Sequence, residues 1–456
     1  MDSVTSTRSS TTRRTGRGPG LPFRGASALA VVAVLALVTS ACSSSPKTTP
    51  PTTATTTTAT PSGSAVPSPG VTATTVTVGQ VDDLTAPLPG LFKGAEDGTR
   101  AYFDYVNSTG GVNGRKIELD AQDSAYNDGT VANATAAQIK SDFALVGGFS
   151  LDDSAEEPLI KAAGMPDIAY PLDPDLSNLP TAYSPAPNTA NDYPLAIFKI
   201  LKEKFPQDVT HMGILWANAT ASTASSEKAF ERAAESQGFK IVYDAGFTPS
   251  QTTFLPNVLT MKSDGVKLFF TTQMPDSYSA TLAEEMQQQD FKPVVIQGDA
   301  YSSNLVKDGG SAVNGMYLDV GYVLYLGTDS HLPAAALFNK WMKIADPDAN
   351  FELQSLYGWA AAQLFVQALR NAGSPPTRAS LLEALDKITD FDASGLLSPG
   401  GNPAANVPGQ CFVLAQVVNG QIVRVPPTPK TGFICSPGGL LPQPGFKPEV
   451  RPAPSS

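Results

Sequence analysis

The sequence predicts an α/β protein built from parallel sheets, and three observations carry that expectation. Val76-Thr77-Val78-Gly79-Gln80-Val81 has the composition and alternation of a strand. Ala95, Gly98, Tyr102, Tyr105 and Val106 then fall on one face of a helix. Gly110-Gly111-Val112-Asn113-Gly114 supplies a turn that uses positive φ at little cost, and after it Ile117 and Leu119 alternate with charged residues as in a second strand. Strand, helix, glycine-rich turn and strand make a βαβ unit, and such units assemble into parallel sheets with helices on both faces. A chain of 456 residues is too long for one hydrophobic core, so two globular units with tails are expected.

Taken in order, the first 41 residues carry Arg8, Arg13, Arg14, Arg17 and Arg24 before an apolar run from Ala28 to Val38 and then Thr39-Ser40-Ala41-Cys42. A basic start, a short apolar stretch and small residues at the cleavage point make an export signal. The run is too short for a membrane span, which needs about 20 residues. Cysteine directly after Ser-Ala reads as a lipobox, making Cys42 the lipidated first residue of the mature protein, although Thr39 stands where an aliphatic residue is usual. The blander alternative is an ordinary cleaved signal with an incidental cysteine. Arg13-Arg14 also leaves the export route open between the general secretory and twin-arginine pathways. From residue 42 to 74 nearly everything is Thr, Ser, Pro, Ala or Gly, a composition that cannot offset its ordering entropy, so a mobile tether is expected. Pro-rich composition returns at 436–456 and predicts a second disordered tail.

Between these ends the βαβ rhythm repeats. Strands are expected at Phe143–Phe149, Asp167–Tyr170, Met212–Trp216, Lys240–Tyr243, Lys267–Thr271 and Val294–Gln297. Ala229, Phe230, Ala233 and Ala234 form the apolar face of a helix that Gly238 caps. The clearest helix spans Leu353 to Leu369, whose apolar positions follow the 3.6-residue period without a gap, and its stripe reads as core packing. Cys411 and Cys435 bracket two short strands joined by Asn419-Gly420, a strong hairpin signal. In an exported chain the two cysteines are expected to form a structural disulfide. No neighbouring histidine supports a metal site there, and no cofactor is implied.

At this point the chain resembles a type I periplasmic-binding protein of the leucine/isoleucine/valine-binding branch, over about Val76 to Val425. The resemblance rests on Val78-Gly79, on Asn107 with Gly110-Gly111-Val112-Asn113-Gly114-Arg115, and on Gln122-Asp123-Ser124, Val146-Gly147-Gly148, Met165-Pro166-Asp167-Ile168 and Gln297-Gly298-Asp299. It implies two doubly wound, Rossmann-like lobes with three hinge crossovers, near Tyr183–Pro187, Val320–Leu326 and Leu396–Gly401. Lobe 1 would comprise 75–185 plus 326–396, and lobe 2 would comprise 186–325 plus 397–435. It also implies a monomeric, membrane-anchored substrate-binding lipoprotein. Such a protein captures a small polar ligand between its lobes and passes it to an ABC-type permease.

Open α/β sheets bind ligands beyond the carboxyl ends of their strands, which selects the residues just after each strand. In lobe 1 these residues are Asp82, Asp83, Ser150, Leu151, Asp152 and Asp173, and in lobe 2 they are Trp216, Asn218, Gln273, Asp299 and Tyr301. The pattern departs from the resemblance at Leu151, where serine is expected, at Asp173, where threonine is expected, and at Ala221, where a tyrosine is usual. Asp152, Asp153 and Asp173 would repel a ligand carboxylate. Asp299 does fall on the acidic position that receives a ligand ammonium, although it would also serve as a helix cap. An amine or polyol is therefore favoured over a plain branched-chain amino acid.

Other classes fare worse. A net charge of −11 argues against nucleic acid, which is bound by neutralising phosphates. There is no Gly-x-Ser-x-Gly, metal-ligand spacing or Walker loop, and His211 and His331 are far apart, so catalysis is not expected. The remaining alternative is a ligand sensor or cell-envelope interaction protein that keeps this fold without a transporter, since fold alone does not fix function.

Overall fold

The computed structural model describes residues 68–85, 92–187, 192–349, 351–435 and 439–442. The export signal, Cys42 and the tether as far as residue 67 lie outside the described residues, as does the chain after residue 442. Among the described residues no helix is long and apolar enough to cross a membrane.

The first lobe opens with β1 (Thr75–Asp82), α1 (Lys93–Ser108), β2 (Lys116–Asp123), α2 (Asp128–Ser141) and β3 (Leu145–Val146). It continues through α3 (Glu157–Ala163), β4 (Asp167–Ile168), α4 (Pro174–Ser177) and β5 (Ala182–Tyr183). The strands form one parallel sheet in the order β2-β1-β3-β4-β5. The glycine-rich turn works as its composition requires. Gly110, Gly111, Asn113 and Gly114 all have positive φ, and a Cβ on Gly111 would lie 2.0 Å from the Arg115 carbonyl oxygen. Asn107, near the end of α1, donates from its side chain to the Ile117 carbonyl (2.8 Å) and accepts from the Ile117 N–H (2.9 Å), tying helix to strand. Arg115 reaches back to the Thr72 carbonyl (2.8 Å), and Val71 is buried and bridges Val76. The ordered chain thus begins before residue 74, where the tether was expected to end.

The second lobe runs through β6 (Asp192–Pro194), α5 (Ala196–Lys204), β7 (Met212–Ala217), α6 (Ala221–Ser236), β8 (Ile241–Phe247) and α7 (Leu255–Ser263). Then come β9 (Leu268–Thr272), α8 (Asp276–Gln288), β10 (Val294–Gln297), α9 (Ser303–Gly309) and β11 (Tyr317–Val320). After β11 the chain supplies three helices, α10 (Pro333–Ala345), α11 (Leu353–Leu369) and α12 (Arg378–Leu385), two of which pack on α1. It returns as β12 (Cys411–Val418), β13 (Gln421–Arg424) and β14 (Ile434–Cys435). The second sheet has the order β13-β12-β11-β10-β9-β7-β8. It is parallel from β11 to β8 and antiparallel at β12, where the Asn419-Gly420 hairpin and β14 attach. The outgoing and returning segments run side by side, with Tyr322 bridging Leu397 and the Ser398 N–H bonding the Gly321 carbonyl at 2.7 Å.

Cys411 and Cys435 are disulfide-bonded, 24 residues apart, with Cα atoms 4.3 Å apart. Closing a loop of that length contributes about 3.5 kcal/mol in the chain-entropy account. One expectation needs correction. Leu440–Pro442, placed by composition in an unstructured tail, forms β15 and pairs antiparallel with β6. Both prolines of that pair, Pro194 and Pro442, stand in a two-stranded ribbon that needs few N–H donors, which is where strands tolerate proline.

Candidate ligand-binding site

The carboxyl ends of both sheets converge on a cavity of about 650 Å³. From the first lobe come Phe92 before α1, Phe149 and Leu151 after β3, Tyr170 and Leu172 after β4, and Tyr357 from α11. From the second come Phe247 at the end of β8, Gln273 after β9, Gly298 and Asp299 after β10, Asp319 in β11 and Tyr322 just past it. Four of the first-lobe rings pack in one row, with Phe92 tilted at 45° against the stacked Phe149, Tyr170 and Tyr357. Phe92 and Phe149 have centroids 4.7 Å apart, Phe149 and Tyr170 lie 5.3 Å apart with planes 2° from parallel, and Tyr170 and Tyr357 lie 4.3 Å apart at 13°.

Of the residues selected from the sequence, Leu151, Gln273 and Asp299 line this cavity. The Asp299 carboxylate accepts the Gln273 N–H at 2.5 Å, and Gln273 has φ +56, a left-handed conformation uncommon for a residue with a side chain. The acid therefore holds a strained strand end in place. Burial pushes the Asp299 carboxyl above its ordinary pKa, and the bond from Gln273 offsets part of that. The capping role belongs instead to Ser302, which accepts from the N–H groups of Asn304 and Leu305 at the start of α9. A Cβ on Gly298 would meet no atom within 4 Å, so this strand end faces open cavity.

The other selected residues turn elsewhere. Asp82 is buried and accepts from the Phe149 N–H at 2.7 Å. Asp83 accepts from Ser124, from the Ser150 hydroxyl (2.9 Å) and from the Leu151 N–H (2.7 Å), so Asp83 and Ser150 brace the loop that presents Leu151. Asp152 is half-buried, and burial followed by the charge of Asp83 lifts its carboxyl to about 6. Asp173 caps α4 through the N–H groups of Asp175 and Leu176. Trp216 donates its indole N–H to Asp244 at 2.9 Å, Asn218 packs against Gly246, and the Tyr301 hydroxyl accepts from the Leu326 N–H at 2.9 Å.

Sequence reasoning missed Asp319 and the ring stack. Asp319 interrupts the apolar run Met316-Tyr317-Leu318-Asp319-Val320, which is the signal that could have found it. Its carboxyl is raised to about 7, first by burial and then by the charge of Asp299. Tyr357 was hidden inside the core stripe of α11.

A family model described as periplasmic binding protein matches residues 75–421. The chain belongs to the periplasmic binding protein family. No curated protein matches it. Among solved structures this periplasmic binding protein is similar to a fatty acid ABC transporter substrate-binding protein from Thermomonospora curvata, with TM-score 0.66 and 20% identity over 82% of this chain and 95% of that one. A possible leucine/isoleucine/valine-binding protein from Rhodopirellula baltica gives TM-score 0.66 and 16% identity over 79% and 98%. A branched-chain amino acid transporter substrate-binding protein from Streptococcus pneumoniae, solved with isoleucine, gives 0.63 and 17% over 76% and 97%. At these identities the likeness establishes the two-lobed fold of this binding protein.

Buried acids without a basic partner give its stability a definite pH dependence. Burial is the first cause raising Asp153 to about 8, Asp167 to about 7 and Glu227 to about 8. Each is protonated in the folded state between its unfolded pKa near 4 and those values, so the fold binds more protons than the unfolded chain. Stability is full below about pH 4 for these groups and is lost as pH rises through 7 to 8, at about 1.4 kcal/mol per carboxyl per pH unit as the limiting slope. Thermal unfolding should therefore show a midpoint that falls from pH 5 to pH 8, and a flat or rising midpoint would contradict this assignment.

Proposed function

We propose that this chain is an extracytoplasmic solute-binding lipoprotein that captures a small polar molecule, an amine or a related compound, between its lobes and delivers it to an ABC-type permease. The observation that carries the reading is the 650 Å³ cavity at the carboxyl ends of two doubly wound sheets in a member of the periplasmic binding protein family. Its size lies within the range that encloses most of a small ligand's surface. The transporter assignments of the structural relatives support coupling to import. Their fatty acid and isoleucine ligands both carry a carboxylate, for which this cavity offers no basic side chain.

Closure is expected from the architecture, since Tyr322–Leu397 is a narrow link about which lobes can hinge. Mass spectrometry of small molecules released from the purified, unboiled protein should identify the solute. Re-added at about a hundred times its Kd, it should stabilise the fold by about 2.7 kcal/mol and reduce the radius of gyration in solution scattering. A protein that releases no small molecule and does not compact would overturn the reading. The anchor is tested separately. Cys42→Ala should leave the protein unprocessed or release it from the membrane fraction, and unchanged membrane partition would remove Cys42 from the proposal.

A further inference from the structure

The solute-binding reading can be carried to a ligand class from the polar groups that the cavity leaves open. Among the described residues four acids line it, Asp276, Asp299, Asp319 and Glu352, and no Lys, Arg or His does. Three of the four are engaged by the protein. Asp276 accepts from Ser302 and from the Ser277 N–H, Glu352 caps α11, and Asp299 holds Gln273. The Asp319 carboxylate accepts no hydrogen bond among the described residues. Gln297 pairs with Leu318 in the sheet, so Asp299 and Asp319 leave neighbouring strand ends side by side.

Two further polar atoms in the same wall are buried without partners among the described residues, the Gln273 side-chain oxygen and the Tyr322 hydroxyl, Tyr322 being only 2% exposed. Carboxylates and an amide oxygen accept hydrogen bonds, so the group they await is a donor. Two acids beside each other with no base ask for that donor to be positively charged. The remaining wall is the stack of Phe92, Phe149, Tyr170 and Tyr357, which suits a flat or cyclic apolar body, and ring faces attract a cation within about 6 Å. Tyr170, Tyr322 and Tyr357 all sit close enough to Asp299 to feel its charge, so ring wall and acids belong to one subsite. A ligand carboxylate would be repelled by Asp299 and Asp319.

We propose that the cavity takes a hydrophobic cation, with a protonated or quaternary nitrogen received by Asp319 beside Asp299, an aromatic or alicyclic body against the ring stack, and no carboxylate.

The test is calorimetric titration of the exported, full-length protein with a matched series, naphthylmethylamine, naphthylmethanol and naphthylacetate, together with L-leucine. The amine should bind at least tenfold more tightly than the alcohol, and the acetate and leucine should not bind. Asp319→Asn should keep the wild-type melting temperature, weaken the amine by roughly thirtyfold or more and leave the alcohol unchanged. Asp299→Asn keeps an oxygen for the Gln273 N–H and loses only the charge, so it should weaken the amine likewise. The charge acting on Asp319 is that of Asp299, and amine affinity should fall as the solution is taken below about pH 7, where protonation of Asp319 competes with the cation. Tighter binding of the acetate or of leucine, wild-type amine affinity in Asp319→Asn, or no binding by any of the four at a sensitivity of about 1 mM would overturn the proposal. Binding of leucine or the acetate with compaction would leave the solute-binding reading standing. Absence of both a released solute and compaction would remove that reading too.

Discussion

Gly358→Ala should unfold at a lower temperature than the wild type, with a loss of about 3–5 kcal/mol, although alanine is the better helix former by about 1 kcal/mol. Gly98 and Gly358 mark the crossing of α1 and α11. A Cβ on Gly358 would lie 2.0 Å from the Ala95 carbonyl oxygen, and one on Gly98 would lie 1.9 Å from the Ser355 carbonyl oxygen. Both obstacles are backbone, so no side chain can swing aside. The two helices would have to separate, which would open the contacts of Tyr102 with Trp359 (ring centroids 4.8 Å) and of Phe103 with Phe365 (6.0 Å). Close-packed interiors resist such shifts. The result is read from chemical denaturation, and a Gly358→Ala protein as stable as the wild type, or more stable, would show that the crossing has room for a methyl group. Because α11 also carries Tyr357 into the cavity, partial separation should weaken ligand binding as well.

The fold was legible where one element's pattern decides its own structure. Leu353 to Leu369 repeats every 3.6 residues and forms α11 with those same ends, and Asn419-Gly420 makes the β12–β13 hairpin through positive φ at both residues. Legibility failed where pairing depends on distant chain. Phe143–Phe149 reads as a seven-residue strand, yet only Leu145–Val146 is strand, because Gly147 takes a positive φ and turns the chain towards the cavity. β6 and β15 are three residues each and lie almost 250 positions apart, so neither has a pattern of its own.

The site was legible by place and less so by side chain. The rule that ligands sit beyond strand ends named loops that line the cavity. The chain bends as soon as β10 ends, so strand alternation could not separate Asp299, which lines the cavity, from Tyr301, which is buried in the core. Asp82 and Asp83 show the same limit, since Asp82 Oδ1 and both Asp83 oxygens accept from Phe149, Ser150 and Leu151 and so brace the cavity wall. The ring stack draws Phe92, Phe149, Tyr170 and Tyr357 from four separate segments, and only the tertiary fold brings them together.

The ion pair of Asp329 and Arg424 is the other place where one substitution should cost most. The carboxylate side chain is 1% exposed and the guanidinium 5%, and the pair is doubly bonded, with Arg424 Nε 3.1 Å from both carboxylate oxygens and Nη2 closer still to one of them. Asp329 also accepts the Leu324 N–H at 2.8 Å, and Arg424 donates to the Gly432 carbonyl at 2.5 Å. The pair therefore fastens the segment leaving β11 to the C-terminal hairpin, beside the Tyr322–Leu397 bridge. Asp329→Ala would leave a buried guanidinium without its counter-charge and an N–H without its acceptor, for a loss of about 3–5 kcal/mol. Asp329→Leu combined with Arg424→Met should lose clearly less than the sum of the two single changes, because most of each single loss is the stranded partner and not the bond itself. Urea denaturation of the wild type, Asp329→Leu, Arg424→Met and the double variant measures the coupling. If Asp329→Ala loses under about 1 kcal/mol, or if the double variant is strictly additive, the pair is solvated and does not hold the hinge segment in place.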